Sequence, residues 1–178
     1  MPELERLATH HAYVLYRFER ENRAYFARYV PDRGDDYFDL FADRLAALLD
    51  EQDRGICHFH VLVDDDGFVL GRFNLVDVAD GSAELGYRVA ERAAGRGLAQ
   101  YGVRRVSELA RDGYGLRRLV ADATLANPAS LAVLRRTGFV EAGAVDLGGE
   151  PGLRHVLDLH PTPEQRPQAG GTRPGDQR

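Results

Sequence analysis

The stretch that most constrains the fold runs from Ser82 to Ala99, where a strand pattern passes through glycines into a helix pattern. Residues 83–89 alternate between apolar and polar side chains, as a half-buried strand does. Gly95 and Gly97 follow, and beyond them apolar residues recur at helical spacing. Such a turn leaves backbone N–H groups unpaired at the helix start, where the helix dipole favours an anion. The sequence therefore predicts a phosphate-binding loop between a strand and a helix.

Two common nucleotide-binding motifs are excluded by residue type and spacing. The chain contains no lysine, so neither the loop G-x-x-x-x-G-K-[ST] nor a Schiff-base lysine can occur. The dinucleotide fingerprint G-x-G-x-x-G is not met, because the next glycine after Gly97 is Gly102. The loop therefore belongs to another class of phosphate-binding turn.

A second informative segment runs from Asn127 to Phe139 and reads N-P-A-S-L-A-V-L-R-R-T-G-F. Asn127 is a favourable helix cap and Pro128 a favourable first helical residue. Together the two segments resemble the GNAT superfamily of acyl-coenzyme A-dependent N-acetyltransferases, in particular the branch of the ribosomal-protein-alanine N-acetyltransferases. The resemblance covers residues 1–160, which we expect to form a single domain.

The family's first motif is Gln or Arg, two residues, Gly, one residue, and then Gly or Ala. Ala94, Gly97 and Ala99 occupy these positions, so the polar side chain of the first position is missing. The backbone N–H groups of residues 95–99 do not depend on that side chain. The second motif is N-x-x-S, an apolar helix, a basic residue and G-F, and it is matched by Asn127, Ser130, Arg136, Gly138 and Phe139.

The resemblance implies acetyl-coenzyme A (acetyl-CoA) as the acyl donor and no metal ion. The residues predicted to hold the coenzyme are Tyr87, Val89, Gly95, Arg96, Gly97, Leu98, Ala99, Asn127, Ser130 and Arg136. Arg136 is a candidate for a phosphate contact, and an exposed helix arginine is an equal interpretation. Asn127 is a candidate partner of the pantetheine amide in addition to its role as a cap.

The reaction expected of the family is attack of a primary amine on a thioester, and the amine must first lose a proton. Glu84 is the candidate base, acting directly or through water, because it points away from the apolar row of its strand. The alternative is a solvated strand residue or an ion pair with Arg88 on the same face. The resemblance further implies that a backbone N–H near Val89 stabilises the oxyanion.

The leaving thiolate lacks the general acid that many relatives provide. Their tyrosine corresponds to Leu134, which has no proton to donate. The alanine-acetylating relatives suggest that the hydroxyl of Ser130 hydrogen-bonds the sulfur instead, which makes Ser130 a candidate catalytic residue. The alternative is that Ser130 only caps or packs in the first turn of its helix.

Length and composition favour one globular domain. With 178 residues and 44% hydrophobic side chains, the chain can bury one core. Its single cysteine, Cys57, excludes an intramolecular disulfide and suits a reducing compartment. The N-terminus shows no signal-peptide pattern, and no apolar run has the length of a membrane span. We therefore expect a cytoplasmic protein without a membrane partner.

The net charge of −5 is unevenly distributed. Residues 1–87 carry 18 acids and 9 arginines, whereas residues 88–178 carry 10 acids and 14 arginines. This split suits a polyanionic coenzyme on the second half and a cationic amine on the first, and solubility alone explains it equally well. The acidic balance, without a basic stripe interleaved with aromatic residues, disfavours nucleic acid as a partner.

The pattern along the chain predicts a mixed α/β fold, with helices on both faces of a central twisted sheet. Strands are predicted at residues 3–7, 56–63, 68–76, 83–89, 118–124, 139–147 and 153–159, with helices over residues 11–29, from 38 to about 55, after Gly97 and after Asn127. Strands 83–89 and 118–124 are expected to be parallel neighbours with a right-handed connection. The resemblance implies that this pair splays apart and accepts the pantetheine arm. The Pro- and Gly-rich tail at residues 161–178 is expected to be disordered.

The leading hypothesis is an acetyl-CoA-dependent N-acetyltransferase that transfers the acetyl group by direct attack in a ternary complex. The acceptor is a primary amine, either a protein N-terminus or a small amine. The alternative is a catalytically weak acyl-CoA-binding module that regulates a partner, and Leu134 and Ala94 keep this alternative open. The sequence also leaves open whether the protein forms a homodimer.

Overall fold

The computed structural model describes residues 1–159, and the tail predicted at residues 161–178 lies outside the described residues. The strands are β1 (Glu3–Arg6), β2 (His58–Val63), β3 (Val69–Ala79), β4 (Ser82–Val89), β5 (Arg118–Thr124), β6 (Val140–Leu147) and β7 (Glu150–Asp158). The helices are α1 (Ala12–Glu21), α2 (Arg23–Phe26), α3 (Asp35–Asp39), α4 (Phe41–Asp53), α5 (Leu98–Asp112) and α6 (Pro128–Arg136). Within residues 1–159, no helix combines the length and apolarity that crossing a membrane requires.

The strands form one sheet in the order β1-β2-β3-β4-β5-β7-β6. Neighbouring strands are antiparallel except for β4 and β5, which are parallel. Their pairing joins only Ser82–Glu84 with Arg118–Val120, and beyond these residues the two strands part. The predicted mixed sheet with a splayed parallel pair is therefore confirmed.

Helices cover both faces of the sheet, as two adjacent residues of β3 show. Arg72 points toward α1, where its guanidinium contacts Glu19. Phe73 points to the opposite face, where its ring packs against Gly102 of α5. Tyr87 lies opposite Phe73 on β4 and contacts α6, so α5 and α6 share this second face. The predicted helices on both faces are thus confirmed.

The first predicted helix is interrupted, which corrects the continuous helix expected over residues 11–29. The break falls at Asn22, between α1 and α2. The side-chain Nδ2 of Asn22 donates to the carbonyl of Phe18 (2.8 Å), and its Oδ1 accepts from the backbone N–H of Glu91 (2.9 Å). Asparagine side chains compete with the backbone for hydrogen bonds and so interrupt helices. Asn22 thereby ties the start of α2 to the segment that follows β4.

Two other element boundaries also differ from the prediction. The second predicted helix is divided at Leu40 into α3 and α4. The last strand begins at Glu150 rather than at residue 153, because a turn at Gly148 and Gly149 with positive φ closes the β6–β7 hairpin early.

Candidate active site

A cavity of about 380 Å³ lies beside the end of β4 that β5 leaves unpaired. Four parts of the chain form its walls: the end of β4, the loop into α5 with the first turn of that helix, the start and middle of α6, and the α2 segment. The lining includes most residues predicted for the coenzyme: Tyr87, Val89, Gly95, Gly97, Leu98, Ala99, Asn127, Ser130 and Arg136. Arg96 and Glu84 are not among the residues that line it.

The loop before α5 presents its backbone to this cavity. Gly95 and Gly97 have φ of 73° and 75°, in the left-handed region that glycine adopts without strain. A Cβ at either glycine would meet no atom within 4 Å, so both face open space. Gly97 caps α5 without a side-chain hydrogen bond, which leaves the N–H groups of the first turn free. These N–H groups and the helix dipole suit an anion such as a phosphate.

The start of α6 is held by the predicted asparagine cap. Asn127 Oδ1 accepts a hydrogen bond from the backbone N–H of Ser130 (3.1 Å), and Pro128 takes the first helical position. This bond uses only the oxygen of the amide, so the Nδ2 group of Asn127 keeps its donors for a ligand in the cavity. Both interpretations of Asn127, cap and ligand contact, are compatible with this geometry.

A pair of hydroxyl groups joins β4 to α6 across the cavity wall. The hydroxyls of Tyr87 and Ser130 lie 2.9 Å apart. Burial raises the pKa of Tyr87 to about 12, so its phenol stays protonated at neutral pH. Leu134 is only 1% exposed and has no access to the cavity. Two proton donors therefore lie on the same wall, and the sequence predicted this role only for Ser130.

Glu84 lies on the other face of β4 and is exposed. Partial burial and the carboxylates of Asp122 and Asp77 raise the pKa of its side chain above the ordinary value. The alternative of an ion pair with Arg88 is wrong, because Arg88 contacts Glu19 instead. Since Glu84 does not line the cavity, it can reach a bound amine only through water.

Another wall of the cavity is aromatic and cationic. Tyr25, Phe26 and Tyr29 line it from the α2 segment, and Arg88 lines it from β4. The guanidinium of Arg88 lies 5.0 Å from the centre of the Phe26 ring, within cation–π distance. Phe26 also packs in the core, since it is only 7% exposed.

One cluster within residues 1–159 has the side chains for a metal ion, and it lies outside the cavity. Glu5, His10 and His11 bring their ligand atoms within 4.8 Å of one another. His11 Nδ1 accepts from the backbone N–H of Ala8 (3.0 Å), so in the neutral ring Nε2 carries the hydrogen. That nitrogen lies 3.0 Å from Glu5 Oε2. The ring therefore acts as a hydrogen-bond bridge in this cluster.

Comparison with known proteins identifies the family. Residues 3–140 match the family described as "Acetyltransferase (GNAT) domain". No curated protein sequence gives a significant match.

Solved structures with the same fold include three acetyltransferase structures. The ribosomal-protein-S5-alanine acetyltransferase of Vibrio fischeri has a TM-score of 0.84 at 18% identity, covering 93% of this chain and 96% of that one. Mycobacterium smegmatis RimJ in complex with a CoA disulfide has a TM-score of 0.78 at 22% identity, covering 93% and 83%. The spermidine N-acetyltransferase of Vibrio cholerae, in complex with CoA and spermine, has a TM-score of 0.74 at 16% identity, covering 89% and 95%.

The chain belongs to the GNAT acetyltransferase family, because the family match covers more than half of it. The acetyltransferase family predicted from the two motifs is therefore confirmed.

If the loop before α5 cradles phosphate, Gly97→Asp will weaken the binding of coenzyme A by at least about tenfold, because it places a carboxylate where an anion must approach. Calorimetric titration with coenzyme A measures this loss. Gly115→Asp is the matched control, since Gly115 also has a positive φ (65°) and open space around its Cβ. Equal affinities in the two variants would contradict the assignment of the loop.

Proposed function

We propose that this enzyme acetylates a primary amine by direct attack, with acetyl-CoA and the amine bound together. The observation that carries the proposal is that one cavity has both an anion cradle and a separate aromatic wall. The chain's one cysteine, Cys57, is buried and does not line the cavity, so it offers no thiol for a covalent acetyl-enzyme. The hydroxyl of Ser130 is hydrogen-bonded to the phenol of Tyr87 rather than to a base, so it is not activated as a nucleophile.

Residues of the loop and of α6 are suited to hold the coenzyme. The N–H groups of the loop and of the first turn of α5 would bind the pyrophosphate, with Arg96 and Arg136 as further cations for phosphate. Nδ2 of Asn127 and the backbone near Val89 would contact the pantetheine arm and the carbonyl oxygen. A donor held in this way presents its thioester beside the Tyr87–Ser130 hydroxyl pair.

Three groups then handle the charges of the reaction. The amine nitrogen forms a bond to the carbonyl carbon, and the C–S bond breaks. The proton of the attacking amine passes through water to Glu84. Ser130, whose hydroxyl is hydrogen-bonded to the phenol of Tyr87, donates its proton to the departing thiolate, and a proton from solvent restores the hydroxyl pair. This arrangement replaces the tyrosine that many relatives carry at the position of Leu134.

The acceptor is proposed to be a protein N-terminus or a small amine. The two kinds of acceptor are those named for the ribosomal-protein-alanine and spermidine acetyltransferases that share the fold. Cytoplasmic location and the absence of nucleic acid and membrane partners remain predictions.

The competing proposal, a catalytically weak acyl-CoA-binding module, draws support from the burial of Leu134 and from the missing polar side chain at Ala94. A protein of that kind binds acetyl-CoA and releases no thiol in the presence of amines. The enzyme proposed here releases one thiol for each amine acetylated.

The hydroxyl pair gives a first kinetic test. Ser130→Ala will lower kcat by about ten- to a hundredfold, and Tyr87→Phe will lower it by less, because serine is the group that meets the sulfur. Stopped assays of thiol release measure both rates, and calorimetry checks that coenzyme A still binds. Ser107→Ala is the control, because Ser107 bonds the carbonyl of Val103 within α5 and lies off the cavity. A rate for Ser130→Ala equal to that of the control would remove Ser130 from the mechanism.

The pH dependence of kcat/KM gives a second test, which concerns Glu84. Since the pKa of Glu84 is raised, the basic carboxylate appears at a somewhat higher pH than for an ordinary glutamate. Glu84→Gln will lower kcat/KM most at low pH, and the loss will shrink as pH rises and the free amine forms without a base. Rates across pH 6 to about 9.5 measure the profile. Glu141→Gln, at an exposed strand position on β6, is the control. A profile that matches the control would exclude Glu84 as the base.

A further inference from the structure

A buried ion pair lies next to Arg88, which lines the aromatic wall of the cavity. Arg72 and Glu19 are each 3% exposed, and Arg72 Nη1 lies 2.5 Å from Glu19 Oε1. Burial alone would raise the pKa of Glu19, but the arginines around it hold it below the ordinary value. Arg72 also donates to the hydroxyl of Tyr37 (3.4 Å). Glu19 is therefore ionised and is already neutralised by Arg72.

Arg88 brings a second positive charge to the same carboxylate. It lies opposite Arg72 on the neighbouring strand, with its side chain 23% exposed. Within residues 1–159, its one hydrogen bond goes to Glu19 Oε2 at the long distance of 3.4 Å. Burial and the nearby Arg33 and Arg72 lower the pKa of Arg88 to about 10, so it is still protonated at neutral pH. Arg88 is thus a partly desolvated cation that shares the carboxylate of Glu19 with Arg72.

The location of Arg88 connects two spaces. It lines the cavity, and it also lines a small recess between α1, α2 and the segment that leads to α3. Phe26 and Val30 line both spaces as well. Arg88 and the α2 segment therefore border the cavity and the recess together.

The acids around the recess do not cancel this charge. Asp32 and Asp35 both lie 2.7 Å from the guanidinium of Arg23, so these two carboxylates are already paired. Arg33 lines the recess and stacks over the Tyr37 ring at 4.5 Å. The local charge around Arg88 and the recess is therefore positive, although the N-terminal half of the chain is acidic as a whole.

We infer that Arg88 is an anion-recognition group for the acceptor, and that the preferred acceptor carries a carboxylate close to its reactive amine. The inference rests on the proposed function, since it names the class of amine that this acceptor site takes. A carboxylate would supply the guanidinium with the acceptor oxygens it lacks, in a partly water-excluded site where charge-assisted hydrogen bonds are strong. A polycationic amine would instead be repelled there.

The test uses acceptor probes that differ only in this charge. One arm compares the peptides Ala-Glu-Ala-amide and Ala-Gln-Ala-amide, and the other compares alanine with alaninamide. Affinities are measured by calorimetry on the protein saturated with coenzyme A, where no acetyl transfer can occur. In at least one arm the acidic probe will bind about tenfold more tightly than its neutral partner. The arm that responds shows whether the carboxylate belongs to a peptide side chain or to the amine's own carbon.

Variants of Arg88 assign the effect to this residue. Arg88→Gln will reduce the ratio of the two affinities to about one, whereas Arg88→Lys, which keeps the charge, will retain part of the preference. Arg28→Gln is the matched control. Arg28 is an exposed arginine near the same wall, 3.9 Å from Glu91, and it lines neither the cavity nor the recess. The control will keep the full preference.

Two results would overturn the inference: equal affinities in both arms, or a preference that survives in Arg88→Gln. Thiol release with acetyl-CoA and the same probes is measured separately. Binding preference without acetylation would contradict the proposed function but support the anion site. Acetylation without preference would contradict the anion site but support the proposed function.

Discussion

The site depends on the short pairing between β4 and β5. Only three residues of each strand are joined, and the remainder of β4 is left without a neighbour on that side. Helix α5 connects the two strands and lies very close to the sheet. A Cβ at Gly102 would come within 2.0 Å of the Phe73 ring, so only glycine allows this approach. The close packing fixes where α5 begins, and with it the position of the phosphate loop beside the open end of β4.

The unpaired end of β4 presents different side chains on its two faces. Because side chains alternate along a strand, Tyr87 and Val89 point toward α6 and the coenzyme loop, while Arg88 points toward α1 and α2. One short segment thus provides a proton donor on one side and a cation on the other. In the proposed mechanism the coenzyme binds on the first side and the acceptor amine on the second, so the alternation of side chains along β4 sets the relative positions of donor and acceptor.

Local patterns in the sequence were enough to predict the strands, the glycine loop and the capped start of α6, because each depends on residues that are close together along the chain, whereas the splayed pair of strands was implied by the resemblance to the family. The Tyr87–Ser130 pair was not predicted as a donor pair, since Tyr87 sits in the apolar row of its strand and its partner is distant. The Glu19–Arg88 contact likewise joins residues far apart in sequence. The acidic charge of residues 1–87 favoured a site for a cationic amine. In the folded chain, however, ion pairs neutralise the nearby acids, and the charge around Arg88 is positive. The break at Asn22 arises from its bond to Glu91, which only the folded chain creates.

Initial rates measured while acetyl-CoA and an amine acceptor are varied together give the most direct test of direct transfer in this cavity. The account predicts double-reciprocal lines that intersect, because both substrates must be bound before the acetyl group moves. Parallel lines, together with an acetyl group recovered on the protein after coenzyme A has been removed, would show a covalent acetyl-enzyme and contradict the account.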